Sequence, residues 1–263
     1  MVNKILNILV VCSVLTLGWG CSSDSGSGSS DSQTEKPNWQ LNLAANDVAP
    51  DWSVTNAENY ELTMSLGVKL SQVLAVYASD DDMIAAFIDG QCRSVATPSV
   101  YTGSGGTLVS AGLNIVGNAG ENGVTFKYYC KRLNRIFTLT NWMNFKPNQN
   151  PSQGGSAYVL PFESELGRVA AQVTIQLPEG TTVDLSLGDE IALLADGSQC
   201  CSNVAWVGEK QVVLNVLAPQ GKRLAIDWYC ASKHAVYEAT ETVLLNSSDD
   251  KAVTVTAFNI KKK

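Results

Sequence analysis

The sequence predicts an all-β protein made of two tandem β-sandwich-like repeats. Runs of four to eight residues rich in Val, Thr, Ile, Tyr and Leu alternate with clusters of Gly, Asn, Asp and Pro, which is typical of many short strands. In addition, Asp82–Ala96 (DMIAAFIDGQCRSVA) recurs as Asp189–Ala205 (DEIALLADGSQCCSNVA), and FKYYC at Phe126–Cys130 recurs as IDWYC at Ile226–Cys230. Two copies of one unit explain both recurrences.

The strands can be assigned in chain order from these runs. In the first repeat we predict Tyr60–Leu66, Met83–Ile88, Cys92–Thr97, Leu113–Val116, Val124–Cys130 and Arg135–Trp142. In the second we predict Val169–Leu177, Glu190–Ala195, Val212–Leu217, Leu224–Cys230, Ala235–Leu245 and Ala252–Phe258. Lys69–Val76 could form a short helix, and the long connection Thr97–Gly112 is expected to be an exposed, mobile loop.

Asp89-Gly90 and Asp196-Gly197 each lie between two apolar runs, where this dipeptide favours a tight hairpin turn. The two copies of this segment align at an offset of 107 residues at their start (Asp82 with Asp189) and of 109 residues at their end (Ala96 with Ala205). The second turn is therefore predicted to be two residues longer. This alignment makes Cys201 the counterpart of Cys92.

Composition divides the chain into four parts. Residues 1–20 form a predicted lipoprotein signal peptide, 21–36 a flexible Ser/Gly tether, 37–162 the first repeat and 167–260 the second. The boundary between the repeats falls in Lys146–Gly167, where Pro and Gly interrupt the pattern. Each repeat is long enough to bury its own core.

The signal peptide predicts the cell envelope as the location. Lys4 precedes the apolar run Ile5–Leu17, which is too short to span a bilayer. Gly18-Trp19-Gly20 then precedes Cys21, the predicted lipid attachment site, with plain secretion as the alternative. The membrane is therefore a partner through an N-terminal lipid, at the periplasmic side of the outer membrane or at the cell surface.

Charge argues against one class of partner. The net charge of -7 and the pI near 4.7 disfavour binding to nucleic acid. No cofactor is predicted, because the chain contains none of the motifs that hold nucleotides or metals.

Five cysteines remain after Cys12 in the signal peptide and Cys21 are set aside. The recurrence of two positions predicts disulfides Cys92–Cys130 and Cys201–Cys230, with Cys200 as the odd thiol. Alternation within FKYYC and IDWYC places Cys130 and Cys230 on a core face. The alternative is that each cysteine is a small buried hydrophobic residue.

Side chains that could carry chemistry are few. A zinc site would need four ligands, and the chain has one close pair, Cys200-Cys201, and a single histidine. The acidic residues Asp80, Asp81, Asp82 and Asp89 could bind calcium, but a solvated loop fits them better. His234 lacks any accompanying nucleophile motif, and Glu163 with Glu165 is weak support for a glycosidase.

The order of these motifs resembles a known repeat. D-x-I-A-A-F, C-R-x-V-A and F-K-Y-Y-C, preceded by Trp52–Met64, resemble a repeat of secreted and lipid-anchored surface proteins of gut-dwelling Gram-negative anaerobes. Residues 51–162 carry the match; the second repeat has Ser202 after Cys201 and lacks the opening Trp segment. The resemblance implies β architecture and a surface location, and it implies no site residues.

These observations favour a non-catalytic binding or adhesion module for a glycan or an envelope protein. Trp142, Trp206 and Tyr101 are the candidate binding residues, on loops at one end of the sandwiches. A structural spacer or assembly subunit is the first alternative, and a hydrolase is the second.

Overall fold

The computed structural model describes residues 34–43, 45–103, 106–152, 156–176, 188–206, 211–247, 251–254 and 261–263. Strands make up most of the regular secondary structure of these residues, and helical segments are few and short, which confirms the predicted all-β class. The predicted signal peptide and Cys21 lie outside the described residues.

The first unit contains eight strands. They are β1 (Leu62–Leu70), β2 (Met83–Ile88), β3 (Gln91–Ala96), β4 (Ser99–Gly103), β5 (Gly106–Gly117), β6 (Val124–Cys130), β7 (Arg135–Met143) and β8 (Tyr158–Leu160). The helical segments are α1 (Gln72–Ala75) and two 3₁₀ turns, Ala57–Asn59 and Phe162–Leu166. One sheet has the order β4-β5-β1-β8 and the other β3-β2-β6-β7.

Nine strands are described in the second unit. Its strands are β9 (Arg168–Gln176), β10 (Glu190–Ala195), β11 (Gln199–Cys200), β12 (Ala205–Trp206), β13 (Gln211–Pro219), β14 (Arg223–Cys230), β15 (Ala235–Leu244), β16 (Lys251–Thr254) and β17 (Lys261–Lys262). One sheet is β13-β9-β16; the other is β11-β10-β14-β15-β17, with β12 also paired to β10. In both units the first strand lies between an antiparallel and a parallel neighbour. β1 pairs with β5 (antiparallel) and β8 (parallel), and β9 pairs with β13 (antiparallel) and β16 (parallel).

Each unit buries an apolar cluster between its two sheets. Alternate residues of β1, from Met64 to Leu70, face Ile84, Phe126 and Phe137 of the opposite sheet. In the second unit, residues of β9 and β13 face β10 and β14 in the same way. Complete burial of one such large apolar side chain contributes about 1.5–3 kcal/mol. The predicted domain boundaries remain a prediction.

The hairpin turns differ in length between the units. In the β2–β3 turn, Asp89 (φ 49°) and Gly90 (φ 77°) are both left-handed, as a two-residue turn between Ile88 and Gln91 requires. In the β10–β11 turn, Asp196 and Gly197 adopt the same conformation, but Ala195 pairs with Gln199, so the loop has three residues.

The connection Thr97–Gly112 is not a loop, as the sequence had suggested. Its described residues form β4 and the start of β5, an antiparallel hairpin in which Tyr101 lies opposite Leu108. The Val, Tyr and Thr residues that favour strands in this stretch outweigh its glycines. The helix expected over Lys69–Val76 is limited to α1, because Lys69 and Leu70 belong to β1.

The two units meet end to end. β1 begins at Leu62 and ends at Leu70, directly before α1, and α1 contacts β9 and β13 of the second unit. Leu217 of β13 belongs to the apolar cluster of the first unit. We call this contact the junction and the opposite end of the first unit, where β1 begins, the distal end. The nine residues of β1 separate them by roughly 30 Å.

Residues 34–60, which we call the N-terminal strap, run along both units. Thr34 donates its backbone N–H to the His234 carbonyl (2.9 Å), and Asp47 donates to the Asn134 carbonyl (2.8 Å). Lys36 also forms an ion pair with Glu190. Thr34 and Lys36 are thus held against the second unit, and the predicted bounds of the tether stay a prediction.

Two tryptophans of the strap cover equivalent positions of the units. Trp52 makes an edge contact with Phe87 of β2, with 5.7 Å between ring centroids. Trp39 packs against Leu194 of β10, together with Ala192 and Cys200. Phe87 and Leu194 correspond, because each lies second before the hairpin turn. The opening Trp segment that the second repeat lacks in sequence is thus supplied by Trp39, from before the first unit.

Candidate functional site

The three candidate aromatic residues do not form one site. Tyr101 is 70% exposed on the β4–β5 hairpin, which extends past the junction end of β1. Trp142 is 45% exposed near the end of β7, at the distal end. β5 separates these positions by nine residues, from Leu108 to Gly117, or roughly 30 Å. Tyr101 and Trp142 therefore lie at opposite ends of the first unit, and their roles in binding stay a prediction.

Trp206 lies farther away still. It belongs to β12 and pairs with Glu190 at the start of β10, in the second unit. Its side chain is outside the described part of the chain, so its role in binding stays a prediction.

A polar pocket of about 740 Å³ lies at the distal end of the first unit. It is formed by the β2–β3 turn, the loop between β5 and β6, and the last residues of β7. Its polar side chains are Asp89, Glu121, Asn122, Asn141 and Asn144. We call it the distal pocket. Trp142 follows Asn141 directly in the chain and is exposed at the same end.

The backbone of this region is shaped for close approach. Asn141 (φ 48°) and Gly123 (φ 64°) are both left-handed. A Cβ atom on Gly123 would lie 2.7 Å from Oδ1 of Asn141, so only glycine fits there. Asn141 also donates its backbone N–H to the Thr125 hydroxyl (3.1 Å). These contacts fix the pocket wall that carries Asn141.

Glu121 is held in the pocket wall by a buried arginine. Arg93 donates from both terminal nitrogens to the Glu121 carboxylate, at 2.7 and 3.3 Å, and the Asn118 N–H donates to the same group at 2.8 Å. The Arg93 guanidinium stacks on the Tyr60 ring at 3.9 Å. The side chains of Arg93 and Glu121 are only 3% and 18% exposed. Sequence reasoning singled out C-R-x-V-A but missed this role of the arginine.

This arrangement is suited to hydrogen bonding with a polyhydroxylated ligand. Each asparagine amide offers two donors and one acceptor oxygen, and each carboxylate accepts only. An exposed indole provides an apolar face on which a sugar ring can stack. The distal pocket supplies the polar groups for glycan recognition, and Trp142, which is exposed at the same end but does not line the pocket, supplies an aromatic surface.

The cysteines form neither predicted disulfide; all five described thiols are free. On β2, Cys92 lies opposite Phe87, whereas Cys130 lies opposite Asp82, just before the strand begins. These two places are five residues apart along the strand, or roughly 16 Å. In the second unit, Cys201 donates its N–H to the Leu193 carbonyl of β10, whereas Cys230 lies opposite Asp189, just before β10. Leu193 and Asp189 are four residues apart along the chain. A disulfide needs Cα atoms within about 7 Å, so both pairings are wrong.

The counterpart of Cys92 is Cys200 rather than Cys201. Cys200 pairs with Leu194 as Cys92 pairs with Phe87. Each thiol also points to the carbonyl two residues later, Ser94 at 3.6 Å and Ser202 at 3.2 Å. The two inserted residues are therefore divided, with one in the turn and one after Cys200.

Cys130 and Cys230 face apolar cores, as alternation predicts. Burial raises the pKa of the Cys130 thiol to about 11. Burial also raises the pKa values of Cys92, Cys200 and Cys201. These thiols are held in their neutral form, as small apolar residues are.

The acidic residues considered for calcium are not gathered around one point. Asp82 is completely buried and accepts hydrogen bonds from the Tyr128 hydroxyl (2.6 Å), the Ser79 hydroxyl (2.8 Å) and the Lys131 N–H (2.9 Å). Asp89 is exposed in the distal turn. Within the described ranges, no cluster of three His, Cys, Asp or Glu side chains could hold a metal ion.

His234 is a turn residue. It adopts φ 46° between β14 and β15, where Asn134 adopts φ 45° in the equivalent β6–β7 turn. Its backbone carbonyl binds Thr34 of the strap.

Glu163 and Glu165 have separate structural partners. Glu163 accepts a hydrogen bond from the Ser71 hydroxyl (2.8 Å). Burial raises the pKa of Glu163, and hydrogen bonds from its own backbone and from Ser71 partly offset this effect. Glu165 accepts from the Thr138 N–H (2.6 Å) and pairs with Arg135 (3.4 Å). Both carboxyl groups tie the Phe162–Leu166 turn to neighbouring elements.

Among the described residues, no helix is both long and apolar enough to cross a membrane.

Comparisons with known proteins give weak structural neighbours. No family model matches the chain, and neither does any curated protein sequence. Among solved structures, the shaft pilin SpaA of Lactobacillus rhamnosus GG is similar over 76% of this chain and 99% of its own, at 9% identity and a TM-score of 0.27. The Bacillus anthracis TIE protein matches 77% of this chain and 35% of its own, at 10% identity and a TM-score of 0.24. A BSP domain of a biofilm-associated protein matches 65% of this chain and 25% of its own, at 11% identity and a TM-score of 0.20. Similarities at this level carry no functional inference.

Proposed function

We propose that this chain is a non-catalytic, lipid-anchored cell-envelope protein that binds a glycan through the distal end of its first unit. The observation that carries the proposal is the distal pocket of about 740 Å³, with three asparagines and two carboxyl groups, at the end of the first unit where Trp142 is exposed. An envelope protein is the alternative ligand.

The positions of the ionisable groups support binding over catalysis. Glu121, the least exposed carboxylate of the distal pocket, is neutralised by Arg93 and held by a backbone N–H. General acid–base chemistry needs a group that can exchange a proton with the substrate. A carboxylate fixed in a bidentate ion pair serves better as a rigid hydrogen-bond acceptor.

A glycan screen with a matched pair of variants tests the ligand. We expect the chain to bind one class of oligosaccharide, and Trp142→Ala to weaken binding at least tenfold. Tyr101→Ala is the control, because Tyr101 is an exposed aromatic residue at the opposite end of the first unit. Equal binding by the wild type and Trp142→Ala would exclude the distal pocket as the site.

Anchoring is tested separately. Replacement of Cys21 with Ser should release the protein from membrane fractions, and the wild type should carry an acyl mass on Cys21. A variant that stays membrane-bound, with no acyl mass on the wild type, would refute lipid anchoring.

A further inference from the structure

Two cavities lie at the junction, on either side of Trp39. One, of about 480 Å³, is lined by the strap, by Tyr77 and Arg132 of the first unit, and by Asn203 of the second. The other, of about 430 Å³, is lined by the strap and by Arg168 and Gln199 of the second unit. Trp39 lines both. Each volume falls in the range typical of ligand sites.

The strap presents a row of amides beside this tryptophan. Trp39, Leu41 and Leu43 face inward, and the two leucines are buried in the first core. Asn38 and Gln40 alternate with them and are exposed, and the Gln40 amide donates to Asn38 Oδ1 at 2.8 Å. Alternation in an extended segment places these amides on one side. Both line the second cavity with Asn42.

One residue that lines the first cavity, Tyr77, carries an unsatisfied donor. The Tyr77 hydroxyl is buried and makes no hydrogen bond to any described residue. Burial, together with the nearby thiols of Cys200, Cys130 and Cys201, raises the pKa of Tyr77, so its hydroxyl stays protonated. Buried polar groups are nearly always hydrogen-bonded, so a residue that lines this cavity carries a donor that no described residue satisfies.

An arginine lines each cavity, and this defines the charge of the ligand. Arg132 lines the first, and Arg168 the second. Arg168 makes one long contact, of 3.5 Å, to the Leu217 carbonyl, which leaves most of its five donors for other partners. No acidic residue lines either cavity among the described residues. In a chain with a net charge of -7, this is a local site for an anion.

We propose that the junction is a second ligand site, which binds a short acidic oligosaccharide across Trp39. The indole would lie against a sugar ring, Arg132 and Arg168 would bind uronic-acid carboxylates on its two sides, and the amides of Asn38, Gln40 and Asn203 would bind hydroxyls. The site combines the strap with residues of both units, and it does not depend on the distal pocket.

Isothermal titration of the full chain with tetragalacturonate and with its carboxyl-reduced counterpart tests this proposal. We expect the acidic tetramer to bind at least tenfold more tightly, with an affinity that falls as salt is raised. The double variant Arg132→Ala, Arg168→Ala should lose at least tenfold in affinity. Lys222→Ala, which removes an exposed cation that lines neither cavity, should bind the acidic tetramer as the wild type does.

Trp39 needs two substitutions, because it also covers Leu194. Trp39→Ala removes both the packing and the stacking surface, whereas Trp39→Phe keeps an aromatic face. We expect Trp39→Ala to lose binding and Trp39→Phe to retain most of it, with both chains folded by circular dichroism. Equal binding of the acidic and neutral tetramers, or binding unchanged in the double arginine variant, overturns the proposal. Tighter binding of an acidic peptide than of the tetramer also overturns it and makes the partner a protein.

Discussion

The Tyr128 hydroxyl donates a 2.6 Å hydrogen bond to the carboxyl group of Asp82, inside the first unit and across 46 positions of the chain. Asp82 also binds Ser79 and the Lys131 N–H, so a single buried carboxyl joins the segment before β2 to the turn after β6. In the second unit Asp189 accepts from the Ala231 N–H at 2.7 Å. The aspartate that begins each copied segment is thus an internal brace.

We expect Tyr128→Phe to lower the free energy of unfolding by about 1–3 kcal/mol, because it removes a buried donor and leaves its acceptor underused. Urea denaturation measures this change. Tyr101→Phe is the control, since the Tyr101 side chain is exposed and should change stability by less than about 0.5 kcal/mol. Equal effects of the two substitutions would contradict the bracing role of Asp82.

The five described cysteines should be free thiols in the purified protein. Mass analysis after alkylation without reductant should show all five modified once the chain is unfolded. In the native protein, Cys92 should react first, because it is the only one of the five that is partly exposed. Recovery of a Cys92–Cys130 or Cys201–Cys230 cross-linked peptide would contradict the structure.

Stability should fall at alkaline pH because of Cys130. Its pKa is about 11 in the folded chain and near 9 when exposed, so between these values the unfolded state loses its proton first. The stability that the neutral Cys130 thiol contributes is fully present below pH 9 and is lost as the pH rises toward 11. The total loss in the free energy of unfolding is up to about 2–3 kcal/mol. Urea denaturation at pH 8 and pH 10.5 measures it. In Cys130→Ala, the free energy of unfolding should differ less between the two pH values than in the wild type. An unchanged difference would mean that other groups cause the loss of stability.

Breaking the Arg93–Glu121 pair should be costly. Arg93→Ala should destabilise the chain by about 3–5 kcal/mol, because the pair is largely buried and the Glu121 charge loses its partner. The control is Lys222→Ala, which breaks an ion pair with Asp196 whose side chains are 51% and 69% exposed. That change should cost less than about 1 kcal/mol. Similar costs for both would mean that the Arg93 pair is not a structural element of the distal pocket.

The strands were predictable because period-two patterns and Asp-Gly turns are local signals. Met83–Ile88, Val124–Cys130 and Glu190–Ala195 are observed with the predicted bounds. The cysteine pairing failed for a geometric reason: alternation tells which face a thiol occupies, but not how far along the strand it lies. The counterpart of Cys92 was misassigned because the end-to-end alignment placed both inserted residues in the turn.

The functional surfaces were harder to foresee. The distal pocket is made of asparagines and glycines from three separate loops, and such residues carry no motif of their own. Trp39 was visible in Pro-Asn-Trp, as Trp52 is in Pro-Asp-Trp, but its position on the second unit depends on the path of the strap. Only the folded chain shows which repeat a preceding segment covers.

The two tryptophans Trp142 and Trp228 should respond in opposite ways to truncation. Trp228 is buried in the second core and packs on Tyr237 with 5.5 Å between ring centroids, so Trp228→Ala should cost about 3–5 kcal/mol of stability. Trp142 is 45% exposed, so Trp142→Ala should leave stability within about 1 kcal/mol of the wild type while it weakens glycan binding. Thermal and urea unfolding of both variants, with the glycan titration repeated on each, separates the two roles. A large loss of stability in Trp142→Ala would mean that this residue supports the fold, and the distal pocket would then lose its stacking surface as an argument for binding.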